Sequence, residues 1–274
     1  MGKIYEALER AHRESDFTPS PAAQEDQISM PADIPSELAV LERPGSSLAE
    51  QFRFLRSLVI RPMSGKAPRT ILIASVEPQE GKTFVSANLA ATIAQGLDEY
   101  VLLVDADLRK PNIHTFFGIT GIKRGLAAFL KGDVPLADVL VKTSVNKLTL
   151  LPGDIEGYNP AELLSSEKMK AMISELRDRY ADRLVIFDSA PLSIAPETFV
   201  TAREVEGIIL VVRRGQTPRD EILQALEKIP QEKLLGVVFN GYSRMVKKQG
   251  IYVKNYSRYG YGYGYGRAYK EQKK

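Results

Sequence analysis

The sequence predicts an α/β fold, a mostly parallel sheet with helices on both faces. Three observations carry that prediction. Apolar runs of strand length alternate with helical patterns from residue 70 to residue 240. The first run passes through a short turn into Gly81-Lys82-Thr83 and then a helix. Two later runs, Tyr100–Asp107 and Leu184–Asp188, end in carboxylates. Strand–helix–strand units of this kind connect by right-handed crossovers.

The whole-chain numbers bound the class. At 274 residues, 44% hydrophobic and 26% charged, the chain is long enough for a substantial core and reads as one or two soluble domains. A net charge of +3 argues neither for nor against nucleic acid. The absence of cysteine rules out disulfides and thiolate metal sites, which fits a reducing compartment. With His12 and His114 as the only histidines, no histidine-based metal site is expected. No apolar run approaches the ~18–20 residues of a membrane span. The first ten residues, Met-Gly-Lys-Ile-Tyr-Glu-Ala-Leu-Glu-Arg, lack a signal-peptide core. The expected location is cytoplasmic, with any membrane connection made through a partner.

Taken in order, Lys3–Arg13 places Ile4, Ala7, Leu8 and Ala11 on one helical face. Packing on its own domain is the favoured reading over a docking or membrane-surface segment. Ser15–Pro44 is rich in Pro, Ser, Asp, Glu and Gln and reads as a linker. Ser47 is the expected N-cap of a helix from Leu48 to Ile60, with Glu50 completing a capping box. Leu48, Phe52, Leu55 and Val59 share its apolar face, while Glu50, Arg53 and Arg56 share another. On charge pattern alone that second face is simply solvated.

Ile71–Ala74 then reads as a buried strand, followed by a turn with Pro78 and Gly81 and a helix from Phe84. Strand, loop, Gly-Lys-Thr and helix is the layout of a P-loop, in which backbone N–H groups and the helix end cradle phosphates. The usual pattern has glycine where this chain has Val76. An ordinary strand–helix turn with an exposed lysine explains these residues equally well. Asp105 and Asp107 weigh on the side of a site, because two acids at the C-terminal end of a buried strand are costly unless cations or donors compensate. Capping or an Asx turn explains one of them but not both.

Helical segments are expected near Gly125–Lys131 and Pro135–Leu140, a short strand over Lys147–Leu151, a helical stretch from Asn159 and a long helix from Glu167 to Tyr180. Leu184–Asp188 has the form of a Walker B strand, whose aspartate would orient magnesium or its waters. Gly207–Val212 and Leu234–Asn240 read as two further buried strands around a helix from Pro218, suited to a first helical position, to Lys228.

Beyond Asn240 the composition changes. Tyr252, Tyr256, Tyr259, Tyr261, Tyr263, Tyr265 and Tyr269 interleave with glycines, and nine Lys or Arg face one acid, Glu271. Such a segment cannot build a core and reads as a disordered tail. From composition it is equally a sticky low-complexity tract, a stacking surface for single-stranded nucleic acid or a set of phosphate acceptors.

In combination these features resemble the bacterial tyrosine kinase (BY-kinase) family, cytoplasmic kinases of polysaccharide co-polymerase systems for exopolysaccharide export. Glu50-Gln-Phe-Arg53-Phe-Leu-Arg56 matches the family's Glu-x-x-Arg-x-x-Arg helix, Ser75–Thr83 resembles its divergent Walker A, and Val104–Pro111 is similar to its Walker A′. Asn159–Leu164, the strand ending at Asp188 and the tyrosine cluster follow in the family's order. Three departures go with it. Gln79 stands at a position often glycine, Ser189-Ala190-Pro191 replaces Thr-Pro-Pro, and the acid expected shortly after Walker B has no clear equivalent, Glu197 being the nearest candidate.

The resemblance implies a P-loop NTPase fold and a division at 1–46 (N-terminal helix and linker), 47–243 (kinase domain) and 244–274 (tail). It implies an ATP- and Mg2+-dependent protein-tyrosine autokinase that phosphorylates the tail in trans and regulates exopolysaccharide or capsule synthesis. Pro78, Gln79, Glu80, Gly81, Lys82, Thr83 and Phe84 would form the ATP site, and Thr83, Asp107 and Asp188 the magnesium site. Lys82, Asp105 and Asp107 would be catalytic, with Asp105 the favoured base. Glu50, Arg53 and Arg56 become a subunit contact of a homo-oligomer, for which the family's precedent is a ring. The implied partners are a membrane co-polymerase as activator, which would recruit the chain to the inner face of the plasma membrane, and a tyrosine phosphatase. Nucleic acid is not an expected partner. The alternatives are a partition- or Min-type P-loop ATPase that uses ATP for dimerisation and surface binding, and a catalytically weak nucleotide-binding scaffold.

Overall fold

The computed structural model describes residues 28–29, 35–63, 65–154, 159–179 and 183–242. The expected helix over Lys3–Arg13, most of the linker and the seven tail tyrosines lie outside them. The end of the expected linker is not a linker: Ala39–Glu42 is helical, and Leu38 and Val40 are buried in the core. No helix among the described residues is long and apolar enough to cross a membrane.

The strands β1 (Thr70–Ser75), β2 (Tyr100–Ala106), β3 (Val141–Lys142), β4 (Leu148–Leu151), β5 (Arg183–Ser189), β6 (Gly207–Arg213) and β7 (Leu234–Asn240) form one sheet. Their order is β3-β4-β2-β5-β1-β6-β7. Every pairing is parallel except β3 with β4. The central runs are apolar without alternation because both faces are covered. Successive residues of β1 enter different layers: Ile71 and Ile73 pack with one core, Leu72 and Ala74 with the other.

The first core is closed by α1 (Ala39–Glu42), α2 (Ser47–Ile60), α3 (Lys82–Ala94) and α4 (Ile113–Phe116). Ala87, Ala90 and Ala91 of α3 are fully buried, so small side chains let this helix lie close on the sheet beneath the loop that feeds it. The opposite core is closed by α5 (Leu126–Lys131), α6 (Pro160–Leu164), α7 (Glu167–Arg179), α8 (Pro196–Glu204) and α9 (Arg219–Lys228). Asn159 caps α6, its side chain accepting from the Ala161 N–H at 3.1 Å, with Pro160 in the first turn.

Several expectations need correction. The N-cap of α2 is Ser46, whose hydroxyl oxygen accepts from Ala49 N–H at 3.1 Å. Glu50 does not reach back to complete a capping box, because its carboxylate is taken by Arg53. Pro135–Leu140 forms only a 3-10 turn, Leu136–Asp138. Pro218 precedes α9 with extended backbone, φ −58° and ψ 145°, rather than opening it. Asp107 lies past the end of β2, in the turn that follows. Finally, β7 is an edge strand, not a buried one: Leu235, Val237 and Phe239 are 42–54% exposed.

Candidate active site

The parallel sheet sets the C-terminal ends of β1, β2 and β5 side by side, with Asp188 in register with Ile73 on one side and Asp105 on the other. This is where an open α/β sheet forms its ligand crevice. The loop after β1 is held from below by β5's own continuation. Leu192 N–H donates to the Ser75 carbonyl at 2.9 Å and Ser193 N–H to the Val76 carbonyl at 3.0 Å.

Within the loop, Gln79 has φ 64° and Gly81 φ 90°. A left-handed non-glycine residue costs about 1–2 kcal/mol, which explains why the resembling family often has glycine at this position. The strain at Gln79 is sustained by neighbours: its carbonyl accepts from Arg213 Nη1 at 2.9 Å, and the Pro78 carbonyl accepts from Gln216 Nε2. Left-handed residues within a turn aim successive N–H groups into a concavity suited to anions. At Gly81 the requirement is double, because a Cβ there would also overlap the Asn240 amide, which donates to the Glu80 carbonyl at 2.8 Å.

The loop delivers Lys82 and Thr83 to the first turn of α3. Lys82 Nζ stands 3.4 Å from Asp107 Oδ2, both side chains being about nine-tenths buried. Ser86 Oγ donates to Asp188 Oδ1 at 2.9 Å, and the Thr83 side chain is near enough to help pull the Asp188 pKa down. Phe84 turns away from the loop, and its ring meets Phe52 of α2 edge-on at 5.9 Å.

Asp105 is fully buried and saturated by backbone donors: Asn112 at 2.9 Å and Ile113 at 3.0 Å on Oδ2, and Asp107 N–H at 3.3 Å on Oδ1. It therefore caps the turn into α4 as well as facing Asp188. Burial first, then the Asp188 charge, pushes its carboxyl well above the usual carboxylate range, against the pull of the Ile113 and Asn112 N–H groups. Burial also pushes Asp188 up to about 6, with Lys82, Thr83 and Ser86 pulling the other way.

Asp105, Asp107 and Asp188 are thus buried together, with Lys82 as the ammonium against them. That excess of negative charge, beside a threonine hydroxyl, fits a hard divalent cation. Among the described residues no three His, Cys, Asp or Glu converge as an all-protein metal cage. Magnesium does not need one, since it keeps waters and takes one or two carboxylates plus substrate phosphates. Thr83, Asp107 and Asp188 would offer it oxygen donors.

Two residues named from the sequence have side-chain roles that it did not announce. Glu80, expected only as a loop N–H donor, turns a fully buried carboxylate inward. Glu197, also buried, makes a two-pronged ion pair with Arg109 of the Walker A′ turn, at 2.6 and 3.2 Å. That pairing raises the Arg109 pKa and fixes the turn that carries Asp107. Arg109 and Glu197 are 88 residues apart in the chain, so no local signal announced their pairing. On α2, Glu50 and Arg53 pair with each other and Arg56 reaches Glu99 at 3.3 Å. Glu50 and Arg53 are exposed and Arg56 is half-buried, so the helix presents this charged row outward.

The chain matches the CobQ/CobB/MinD/ParA nucleotide binding domain over residues 71–256. It is 34% identical to the tyrosine-protein kinase YwqD of Bacillus subtilis over 233 residues, covering 81% of this chain and 89% of that one. The kinase domain of the Escherichia coli tyrosine kinase ETK superposes with a TM-score of 0.70 at 29% identity, covering 88% of this chain and 93% of ETK's. A septum site-determining MinD from Pyrococcus horikoshii, solved with Mg-ADP, shares the fold at a TM-score of 0.51 and 24% identity, over 62% of this chain and 68% of that one.

Proposed function

The chain belongs to the bacterial tyrosine kinases, within the CobQ/CobB/MinD/ParA nucleotide-binding domain family and its P-loop NTPase fold, and on that footing we propose that it transfers the ATP γ-phosphoryl group to tyrosines of its own tail. The observation that carries this reading is the convergence of Lys82, Thr83, Asp107 and Asp188 around a loop whose left-handed residues shape an anion cradle. Phosphoryl transfer asks mostly for positioning and charge neutralisation.

In the proposed reaction the tyrosine oxygen bonds to the γ-phosphorus, the bond from that phosphorus to the β–γ bridging oxygen breaks, and ADP leaves. Lys82 holds the β- and γ-phosphates. Thr83, Asp107 and Asp188 hold magnesium, which supplies charge neutralisation at the phosphates. A phenol of pKa ~10 must lose its proton at neutral pH. Asp105 takes it, because its raised proton affinity suits a base better than that of an ordinary carboxylate. The same acid is fully covered in the ligand-free fold, so the Asp107–Lys110 turn yields when the tyrosine enters.

The tail's nine cations and one anion make it attractive to a phosphate-filled site. At roughly −1.5 to −2 charges per phosphotyrosine, about five phosphates offset that excess. Phosphorylation is therefore self-limiting and loosens tail-dependent assembly. By its family the chain serves polysaccharide export, and a membrane co-polymerase recruits and activates it while a tyrosine phosphatase resets it. A Min-type ATPase shares the fold, but it typically carries an additional lysine early in the loop, where Val76 and Glu77 stand here.

The deciding experiment incubates purified protein with Mg·ATP and maps the tail by peptide mass spectrometry, with Lys82→Met as control. Phosphotyrosine within 252–269 that the control lacks is the expected result. ATP hydrolysis without tail phosphotyrosine would replace the kinase reading with the Min-type one.

A further inference from the structure

We propose that the Glu80 side chain is a positioning residue that locks the phosphate loop in its receiving shape, and that Thr217 is the outside handle on that lock. The inference rests on the loop being the Mg·ATP site argued above.

Glu80 is 0% exposed. Its Oε2 accepts from the Glu77 N–H at 2.8 Å, and its Oε1 accepts from the Arg213 N–H at 3.1 Å and the Thr217 hydroxyl at 2.6 Å. These donors are neutral, two backbone amides and a hydroxyl. A carboxylate taken out of water without a counterion is costly unless its lone pairs are met, and here three donors meet them.

The positions of the donors give the arrangement its purpose. The Glu77 bond closes the loop on itself, spanning three residues around Gln79, which sits at φ 64°. The Arg213 and Thr217 bonds tie that closed turn to the end of β6 and the segment before α9. Backbone strain of this kind persists only when surrounding contacts over-determine it. Without the Glu80 carboxylate only the Arg213 and Gln216 contacts to the loop carbonyls oppose a departure of Gln79 from the left-handed region, and the amides of residues 79–81 would turn with it. The side chain thus acts on the nucleotide through the loop backbone, not by contact with the phosphates.

Thr217 lies outside the loop and among none of the residues proposed to touch nucleotide, so it separates this role from direct binding. The test is Mg·ATP titration by calorimetry on the full chain for wild type, Thr217→Val, Thr217→Ser, Glu80→Gln and the Glu80→Gln/Thr217→Val pair, with Tm measured nucleotide-free. Thr217→Val should raise the Kd for Mg·ATP about three- to tenfold, the scale of one typical intramolecular hydrogen bond. At saturating ATP its kcat should stay within about twofold of wild type, and Thr217→Ser should restore affinity. Glu80→Gln should weaken binding by tenfold or more, since its amide points a donor at another donor, and the pair should be no worse than Glu80→Gln alone. Should Glu80→Gln fail to fold, the Thr217→Val and Thr217→Ser comparison still decides. Unchanged Kd in Thr217→Val and Glu80→Gln, with only Tm lowered, would reduce Glu80 to a structural strut. A wild type that binds no Mg·ATP would remove the premise as well.

Discussion

Asp188 carries the pH behaviour of the candidate site. Its folded-state pKa of about 6 lies above the ordinary 3.8 because burial outweighs Lys82, Thr83 and Ser86. An acid raised in this way holds an extra proton in the fold between pH ~4 and ~6, so its contribution to ligand-free stability falls as pH rises through that window. Mg·ATP, as proposed, takes the ionised carboxylate, so its binding strengthens over the same range. At a hundredfold excess over Kd, a ligand adds about 2.7 kcal/mol, or about 5–10 °C in Tm for a domain of this size. The Mg·ATP-induced rise in Tm should therefore be clearly larger at pH 7.5 than at pH 5.5. Asp188→Asn should lose most of that rise at both pH values, while its nucleotide-free Tm at pH 7.5 stays at or above wild type. A variant that kept the full Mg·ATP shift would remove Asp188 from the site.

At the scale of elements, the start of α2 separates a sequence pattern from a structural fact. Ser46 and Ser47 are adjacent, and Ser47 followed by Glu50 has the better capping-box spacing. In the fold Ser46 has the extended backbone of a cap (φ −75°, ψ 157°) and accepts the Ala49 N–H, while Arg53 occupies the Glu50 carboxylate. Ser46→Ala should cost about 1 kcal/mol, or about 2–4 °C in Tm, and Ser47→Ala a few tenths of that. The reverse order by calorimetry would return the cap to Ser47. Boundaries shift easily because one residue of offset leaves the periodicity intact. Existence was more legible: β1, β2, β5 and β6 each bury both faces, and their uninterrupted Val, Ile and Leu runs say so. The two-residue β3 has no run to detect, since its pairing with Leu150 and Thr149 is decided by the partner strand. The Leu234–Asn240 run looks like a central strand, and only the strand order leaves it at an edge. Of the candidate site, Lys82, Thr83, Asp105, Asp107 and Asp188 followed from a motif and from acids at strand ends. The side-chain roles of Glu80 and Glu197 did not, because apart from the Glu77 N–H their partners lie 133 to 137 and 88 residues away in sequence.

On the scale of the whole molecule the open question is which copy's tail meets which site. The strand order puts β7, after which the tail begins, four strands from β2 and three from β5, all parallel. At ~4.8 Å per strand the Asn240 end of β7 is about 19 Å from the Asp105 end of β2. The first tail tyrosine, Tyr252, follows Tyr242 by ten residues, which reach at most about 33–36 Å when extended. Length therefore permits a tail to serve its own site, and chain geometry does not select trans transfer. Trans transfer would need a contact between copies, for which the proposed surface is α2 with its outward Glu50, Arg53 and Arg56. The test mixes two proteins: Lys82→Met with an intact tail as acceptor, and a competent kinase with all seven tail tyrosines changed to Phe as donor. Trans transfer predicts phosphotyrosine on the Lys82→Met tail, at a rate that rises with total protein concentration. Arg53→Ala/Arg56→Ala in both partners should disperse the oligomer by light scattering and cut that signal at least several-fold. An unmodified Lys82→Met tail, beside wild type that labels itself at a concentration-independent rate, would assign the reaction to a single chain and leave the α2 charges a solvated face.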